Sequence, residues 1–399
     1  MINKKMYELG AKRSEIRELF EYGLRRKAEI GAENVFDFSL GNPSVPAPDS
    51  VTEGLQKLVS EVSPETLHAY TSAAGDVTVR AAIADYINKN EGTDYGAESL
   101  YMTMGAAAAL TASLTALVGE GEEVIVLAPY FPEYKVFIER TGAIVREVPS
   151  DNLTFQPDID AIKATLNEKT AAIIINSPNN PTGTVITEES VIALAEALKD
   201  AEDRYSKPIY IIADEPYREL VYGGVKVPFL PKYYRDTVVC YSYSKSLSLP
   251  GERIGYVLVP PTVSDSGSVY LAIAGAGRAL GFVCAPSMLQ RLIPFCLGDT
   301  SDISVYDRNR RLLLEELTSY GFTLVKPDGA FYLFMKTPCP SAKEFAEVAK
   351  KFELLLVPSD SFGCGGYVRI SYCVTTEQIE RALPAFKRLA EEYGLGRGK

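Results

Sequence analysis

The chain has 399 residues, 46% hydrophobic and 23% charged, which is typical of a folded protein with a large core. Its formal net charge of −11 argues against a nucleic-acid-binding surface, which would need clustered basic residues. No stretch approaches the roughly 18 uninterrupted apolar residues of a membrane-spanning helix, and the N-terminus lacks the apolar core of a signal peptide. We therefore expect a cytoplasmic protein with no nucleic-acid or membrane partner.

The histidine and cysteine content excludes several kinds of site. His68 is the only histidine, so a metal site with several histidine ligands is excluded, and we expect no metal. The six cysteines form no Cys-x-x-Cys pair and several lie in apolar runs, which predicts reduced core thiols. The run from Gly275 to Gly281 has one residue too many for a G-x-G-x-x-G dinucleotide fingerprint, which disfavours a nicotinamide dehydrogenase.

Apolar residues recur in patterns that predict helices and strands in order along the chain. Ile16, Leu19 and Leu24 have helical spacing and predict a leading helix over residues 11–31. From about residue 46 to 285, strand-like runs alternate with helical patterns. The runs are residues 124–128, 171–176, 208–213, 237–241 and 254–259. This alternation predicts an α/β fold with a mainly parallel sheet covered by helices on both faces.

The last quarter of the chain predicts a smaller α+β unit. A long amphipathic stretch covers about residues 286–320 and leads to short strand-like runs before a final helix over 375–393. Those runs are residues 322–326, 330–335, 354–357 and 368–372. We therefore divide the chain into an N-terminal segment (1–45), a large domain (46–285) and a small C-terminal domain (286–399).

A Ser-rich loop with one lysine follows the apolar run at 237–241. Lys245 lies in this loop with Ser242 and Ser244, and Arg253 follows eight residues later, flanked by glycines. A lysine amine can form a Schiff base with a carbonyl, and hydroxyl groups with an arginine suit a phosphate. An aldehyde and a phosphate on one small molecule describe pyridoxal 5′-phosphate. The alternative is a solvated lysine on a polar turn with an arginine in a surface ion pair.

Two other strand-like runs end in polar residues, at the sheet edge where α/β proteins bind ligands. Residues 208–213 are followed by Asp214, an anion that suits a protonated pyridine nitrogen, and by Tyr217, a phenol that suits the ring hydroxyl. Residues 171–176 run into Asn-Ser-Pro-Asn-Asn-Pro-Thr-Gly, which contains Asn180. Taken alone, an aspartate at a strand end is more often a helix N-cap or a turn residue, and Asn-Pro is ordinary turn chemistry.

Together these segments resemble the fold type I pyridoxal-phosphate enzymes and, within them, the class I/II aminotransferases. The resemblance covers nearly the whole chain, in the family's order. It implies that Gly41 approaches the substrate's α-carboxylate, that Arg369 binds that carboxylate, and that Phe131 stacks on the cofactor ring. It also implies that Tyr70 reaches the phosphate bound by a neighbouring chain.

The chemistry of single residues agrees with parts of this resemblance. Gly105, Ala106 and Ala107 open an Ala-rich helix, and the N–H groups at a helix N-terminus suit a phosphate. Arg369 lies in an alternating strand pattern, and its guanidinium fits a carboxylate better than a lysine would. The alternatives are a buried Ala-rich helix, an edge-strand arginine facing water and a core position for Phe131.

The resemblance implies a pyridoxal-phosphate-dependent aminotransferase that moves an amino group between an L-amino acid and a 2-oxo acid. Aspartate and aromatic amino acids are candidate substrates. The implied catalytic residues are Lys245, Asp214 and Tyr217. The implied cofactor ligands are Tyr70, Gly105, Ala106, Ala107, Phe131, Asn180, Asp214, Tyr217, Ser242, Ser244, Lys245 and Arg253. The implied substrate ligands are Gly41, Asn180 and Arg369.

Assembly and the exact reaction leave alternatives. Family members are homodimers with shared active sites, so we expect a homodimer in which residues 1–45 pack with the small domain and the partner. A β-elimination lyase acting on cysteine thioethers uses the same scaffold and stays open. A non-catalytic sensor with a DNA-binding domain is disfavoured, because only about 40 residues precede Gly41. A substrate with a second, distal carboxylate would need a further cation in the site. Arg278 is a candidate for that cation, but no motif places it in the site.

Overall fold

Helices and strands alternate along the chain in the computed structural model, which describes residues 2–11, 15–151 and 153–396. Its α-helices are α1 (Lys4–Ala11), α2 (Glu15–Ile30), α3 (Asp49–Glu61), α4 (Pro64–His68), α5 (Val77–Glu91), α6 (Ala106–Leu117), α7 (Glu133–Arg140), α8 (Ile159–Thr165), α9 (Glu188–Tyr205), α10 (Tyr243–Ser246), α11 (Ser266–Ala279), α12 (Ser287–Cys296), α13 (Ile303–Ser319), α14 (Ala342–Lys350) and α15 (Thr376–Glu392). Its strands are β1 (Phe36–Asp37), β2 (Leu100–Thr103), β3 (Glu123–Ala128), β4 (Ile144–Pro149), β5 (Thr170–Asn176), β6 (Tyr210–Asp214), β7 (Thr237–Ser242), β8 (Gly255–Leu258), β9 (Thr323–Val325), β10 (Tyr332–Lys336), β11 (Leu354–Leu355), β12 (Val357–Pro358) and β13 (Tyr367–Ser371).

A seven-stranded sheet with the order β2-β8-β7-β6-β5-β3-β4 forms the centre of the large unit. The pairs from β4 to β7 are parallel, whereas β8 is antiparallel to both β7 and β2. The predicted α/β fold with a mainly parallel sheet is confirmed. The apolar pattern had not predicted β2 and β4. Most of β4 is exposed and it carries Arg146 and Glu147, and charges on an edge strand interrupt the apolar signal.

Strands β5, β6 and β7 are short apolar runs because both faces of the sheet are covered. Along β5, Ile173 and Ile175 join the core cluster that contains residues of α5 and α9, while Ile174 joins the cluster of α6, α7 and α11. Consecutive side chains therefore enter opposite layers, as strand geometry requires. The parallel register places the carboxyl ends of these strands side by side, with Asn176 beside Asp214.

The small unit contains an antiparallel sheet of order β12-β13-β10-β9 with α13 and α15 packed in the same core cluster. The N-terminal strand β1 joins this unit because Phe36 pairs with Leu354 of β11 in parallel register. The predicted stretch over 286–320 is two helices, α12 and α13. Since Leu292 of α12 packs in the core of the large unit, a domain boundary after Cys296 fits this packing better than one at 285. The three-part division remains a proposal.

Helix α2 covers Glu15–Ile30 of the leading helix predicted over 11–31, and residues 12–14 lie outside the described part of the chain. Leu19 of α2 packs with Val357 and Phe362 of the small unit. No helix within the described ranges is long and apolar enough to cross a membrane. The packing places the N-terminal helix against the small unit, close to the cleft described next.

Candidate active site

A cavity of about 290 Å³ lies at the carboxyl ends of β5, β6 and β7, between the large sheet and the small unit. Twelve of the fourteen predicted site residues line it, and they come from both units. These are Gly41, Ala106, Ala107, Phe131, Asn180, Asp214, Tyr217, Ser242, Ser244, Lys245, Arg253 and Arg369. The other two are Gly105, which lies directly before α6, and Tyr70, which is 87% exposed and lies outside this cavity.

Lys245 presents its amine to the centre of the cavity. Helix α10 holds it one turn after β7, where Ser242 caps the helix by accepting from the backbone N–H of Ser244. The Nζ atom donates a hydrogen bond of 2.7 Å to the carbonyl of Gly41. Burial lowers the pKa of Lys245 to about 8, and the positive charges of Arg253 and Arg369 act in the same direction. A larger fraction of this amine is therefore neutral near pH 7 than of an ordinary lysine.

Asp214 ends β6 as a buried carboxylate. Its Oδ2 accepts a hydrogen bond of 2.5 Å from the phenol of Tyr134, and Asn176 donates to its backbone carbonyl at 2.9 Å. Burial raises the pKa of Asp214 to about 7, and the hydrogen bond from Tyr134 opposes that rise. The other oxygen, Oδ1, is buried and has no hydrogen-bond partner among the described residues. A buried acceptor without a partner is costly, so this oxygen suits a cationic N–H donor in the cavity.

One end of the cavity has the parts of an anion site. Gly105 has a φ of 78° directly before α6, and a Cβ there would lie 2.8 Å from Nη2 of Arg253. Opposite the helix N-terminus, the hydroxyl groups of Ser242 and Ser244 are 2.7 Å apart, and Nη1 of Arg253 lies 3.5 Å from Ser244 Oγ. Free N–H groups, hydroxyls and a guanidinium together suit a phosphate.

The other end of the cavity contains a buried cation. Arg369 is 2% exposed, and its guanidinium donates to Asn180 Oδ1 at 3.0 Å and to the carbonyl of Ser39 at 2.6 Å. The guanidinium carbon lies 4.6 Å from the ring centre of Tyr332 and 5.2 Å from that of Phe362. Its Nε has no partner, and no carboxylate of the described residues forms an ion pair with it. A guanidinium with a free donor suits the carboxylate of a ligand.

Three polar residues of the site were not predicted from the sequence: Tyr134, Asn176 and Tyr332. The first two had a signal, because Tyr134 stands three residues after Phe131 and Asn176 is the last residue of a predicted strand. Tyr332 had none, since it lies in an apolar run that is typical of a core strand. Arg278, the candidate distal cation, is exposed on α11 and does not line this cavity.

Comparisons with known proteins agree with this geometry. The family model for aminotransferase class I and II matches residues 33–386, so the chain belongs to this family. Aromatic-amino-acid aminotransferase 2 of Thermococcus litoralis is 28% identical, with 96% of this chain and 97% of the relative covered. A probable aspartate/prephenate aminotransferase of Aquifex aeolicus is 30% identical, with 90% and 92% covered. The crystal structure of an aminotransferase from Eubacterium rectale is 54% identical, with a TM-score of 0.97 and 99% of both chains covered.

The chain is therefore a pyridoxal-phosphate-dependent aminotransferase, and its substrates are an amino acid and a 2-oxo acid. The predicted family, enzyme class and cofactor are confirmed. The residues also fit the cofactor on observations of this chain alone. The unpaired Asp214 Oδ1 suits its ring nitrogen, the Lys245 amine suits its aldehyde, and the anion site at Gly105 suits its phosphate.

Proposed function

We propose that this cavity is the active site and that it acts on aromatic L-amino acids, with aspartate as the second candidate. The observation that carries the proposal is the joint presence of the Lys245 amine, the unpaired Asp214 Oδ1 and the unpaired Arg369 Nε in one cavity. When bound, pyridoxal phosphate supplies an aldehyde for amines and a conjugated ring that takes up the electron pair released from the substrate's Cα.

The protein groups have separate tasks in this proposal. Arg369, with Asn180 and Gly41 beside it, binds the α-carboxylate and orients the substrate. The neutral Nζ of Lys245 takes the proton released from Cα, and this general base needs the lowered pKa that burial produces. Asp214 keeps a proton on the ring nitrogen through Oδ1, while Tyr134 fixes the orientation of the carboxylate.

The remaining residues hold the ring and the phosphate. Tyr217 and Asn180 would bind the ring oxygen, and Phe131 would stack on the ring. Phosphate ligands in the proposal are the N–H groups at Gly105, Ala106 and Ala107 with the side chains of Ser242, Ser244 and Arg253. These groups would anchor the cofactor through its phosphate, independently of a covalent link to Lys245.

The proposed substrate preference rests on the groups in the cavity that remain available to contact the side chain of the substrate. The described cations that line the cavity are Lys245, Arg253 and Arg369, and each already has a task. The lining residues that have no such task include Ile16, Leu40 and Tyr332, which are apolar or aromatic. An aromatic side chain would bury its surface against them, whereas a distal carboxylate would need a cation from elsewhere.

Purified holoenzyme assayed against individual amino acids with 2-oxoglutarate tests this preference. We expect kcat/KM for phenylalanine or tyrosine to exceed that for aspartate by at least about tenfold. The free energy gained by burying an aromatic ring is larger than the free energy that corresponds to a tenfold ratio of kcat/KM. A preference for aspartate would contradict the aromatic assignment. Release of ammonia and a 2-oxo acid from cysteine thioethers, without transamination, would favour the β-elimination lyase instead.

A homodimer with shared sites completes the proposal. Tyr70 lies outside its own cavity and is 87% exposed, so a role at the phosphate would have to be played by the partner subunit's Tyr70. Mixing inactive Tyr70→Ala and Lys245→Ala proteins should then restore about a quarter of wild-type activity, because half of random dimers are mixed and each has one intact site. A monomer in sedimentation, or no recovery, would contradict the shared site. Location in the cytoplasm stays a prediction.

A further inference from the structure

Tyr332 occupies a central position that the tasks above leave unexplained. It begins β10 in the small unit, is 3% exposed, and lines the cavity. Its hydroxyl lies 2.9 Å from the hydroxyl of Tyr217, which belongs to the large unit. A Cβ on Gly41 would lie 2.0 Å from the same hydroxyl, so the glycine leaves room for it. The face of its ring lies 4.6 Å from the Arg369 guanidinium.

The hydrogen bond between the two phenols has a defined direction once a cofactor is bound. Among the described residues, each of these hydroxyl groups has only the other as a hydrogen-bond partner. A phenol has one proton to donate. If Tyr217 donates that proton to the cofactor's ring oxygen, its own oxygen can only accept from Tyr332. The Tyr332 hydroxyl then points its proton at Tyr217, and a donated bond makes Tyr217 a stronger donor in turn.

We propose that Tyr332 is a positioning residue that orients the Tyr217 phenol and strengthens its hydrogen bond to the cofactor. The inference rests on the proposed function, since it needs Tyr217 at the ring oxygen. Tyr332 links the two ends of the site: its ring supports the arginine that binds the substrate's carboxylate, and its hydroxyl supports the phenol that binds the cofactor. It reaches the reacting atoms only through these neighbours.

The proposal predicts a spectroscopic change in the enzyme without substrate. A hydrogen bond donated to the ring oxygen withdraws negative charge that would otherwise stabilise the proton on the nitrogen linking Lys245 to the cofactor. Tyr332→Phe weakens that bond and keeps the ring against Arg369. The pKa of the lysine-bound cofactor, read from its absorption between pH 5 and 10, should therefore rise by about 0.5.

A double-mutant comparison separates action through Tyr217 from a general structural effect. Tyr217→Phe should raise the same pKa by more, and adding Tyr332→Phe to it should cause no further rise. The matched control is Tyr372→Phe, because Tyr372 is fully buried in the same core, donates to the Ala330 carbonyl at 3.3 Å and does not line the cavity. This control should leave the absorption titration unchanged.

Each outcome decides one point. An unchanged pKa in Tyr332→Phe beside a raised one in Tyr217→Phe overturns the role of Tyr332 and leaves the proposed function standing. An unchanged pKa in Tyr217→Phe would show that Tyr217 does not bind the ring oxygen, which contradicts the proposed function at that residue. If the pKa shifts of the two substitutions add up in the double variant, Tyr332 does not act through Tyr217. Replacing Tyr332 by fluorotyrosine gives a test that preserves the fold, since the stronger donor should lower the pKa.

Discussion

The two ends of the cavity are built differently. At the cofactor end, Asp214, Ser242 and Lys245 follow directly from the ends of adjacent parallel strands. At the carboxylate end, Arg369 comes from a strand of the small antiparallel sheet, and its polar partners Ser39 and Asn180 come from two distant segments. The first end is a property of one sheet edge, whereas the second exists only where two units meet.

This difference has a consequence for the chemistry. Asp214 lies at the end of a strand that pairs with a neighbouring strand on each side, which suits a group that must hold a cofactor in one orientation. Arg369 and Tyr332 lie on neighbouring strands of the small sheet, and Arg369 Nε is left without a partner among the described residues, which suits a group that binds the carboxylate of a substrate. Substitutions at the cofactor end should therefore affect the chemical step, and those at the carboxylate end should affect substrate recognition.

The largest expected effect is at the cofactor end. Lys245→Ala removes both the covalent attachment and the base, so kcat/KM should fall by at least about 10⁴-fold. The absorption of the lysine-bound cofactor should also disappear on dialysis. Lys226→Ala, a change at an exposed lysine outside the cavity, serves as the control and should leave both quantities unchanged. A borohydride-reducible adduct on another lysine would refute the role of Lys245.

Asp214→Asn should lower the activity less than Lys245→Ala does, because the cofactor stays attached to Lys245. The amide keeps the shape of the carboxylate but cannot hold a proton on the ring nitrogen, so removal of the Cα proton should slow by about 10²- to 10³-fold. Single-turnover kinetics with a deuterated Cα measure this step directly. Tyr134→Phe, which removes only the supporting hydrogen bond to Asp214, should slow the step about three- to tenfold. Equal rates in Asp214→Asn and the parent would mean that another group supplies the charge.

Arg369→Lys tests the carboxylate end. A lysine keeps the charge but loses the bidentate geometry and the stacking on Tyr332, so kcat/KM for amino acids should fall by about 10- to 100-fold. Amine analogues without the α-carboxylate should be nearly unaffected. The comparison of the two ends predicts a change mainly in KM here and mainly in kcat for Asp214→Asn. A similar loss for amines and amino acids would place Arg369 outside the substrate site.

The smallest expected effect is a pH dependence of cofactor uptake. Only the neutral amine of Lys245 attacks the aldehyde, so reconstitution of the apoenzyme should accelerate as pH rises through the pKa of about 8. Between pH 7 and pH 9 the neutral fraction rises by about tenfold, and above pH 9 the rate should level off. Stopped-flow absorbance follows the reaction. A rate that keeps rising tenfold per pH unit beyond pH 9 would indicate an ordinary lysine.

Much of this protein could be predicted from its sequence, for a physical reason. Buried parallel strands are continuous apolar runs, and the residue after each run lies at the ligand-binding edge of the sheet. Asp214 and Lys245 could therefore be found by position along the chain. The resemblance of the same segments to the class I/II aminotransferases supplied Gly41, Phe131 and Arg369, which all line the cavity.

Other features depend on contacts between segments that are far apart in the sequence, and only the tertiary structure shows them. The direction of β8, the partners of the edge strand β4 and the place of α12 in the large core depend on packing between distant segments. The pairing of Tyr332 with Tyr217 and the unpaired oxygen of Asp214 depend on it too, since hydrogen bonds between residues far apart leave no pattern in either run. Periodicity reports which face of an element is buried, and only the folded chain determines which groups meet there.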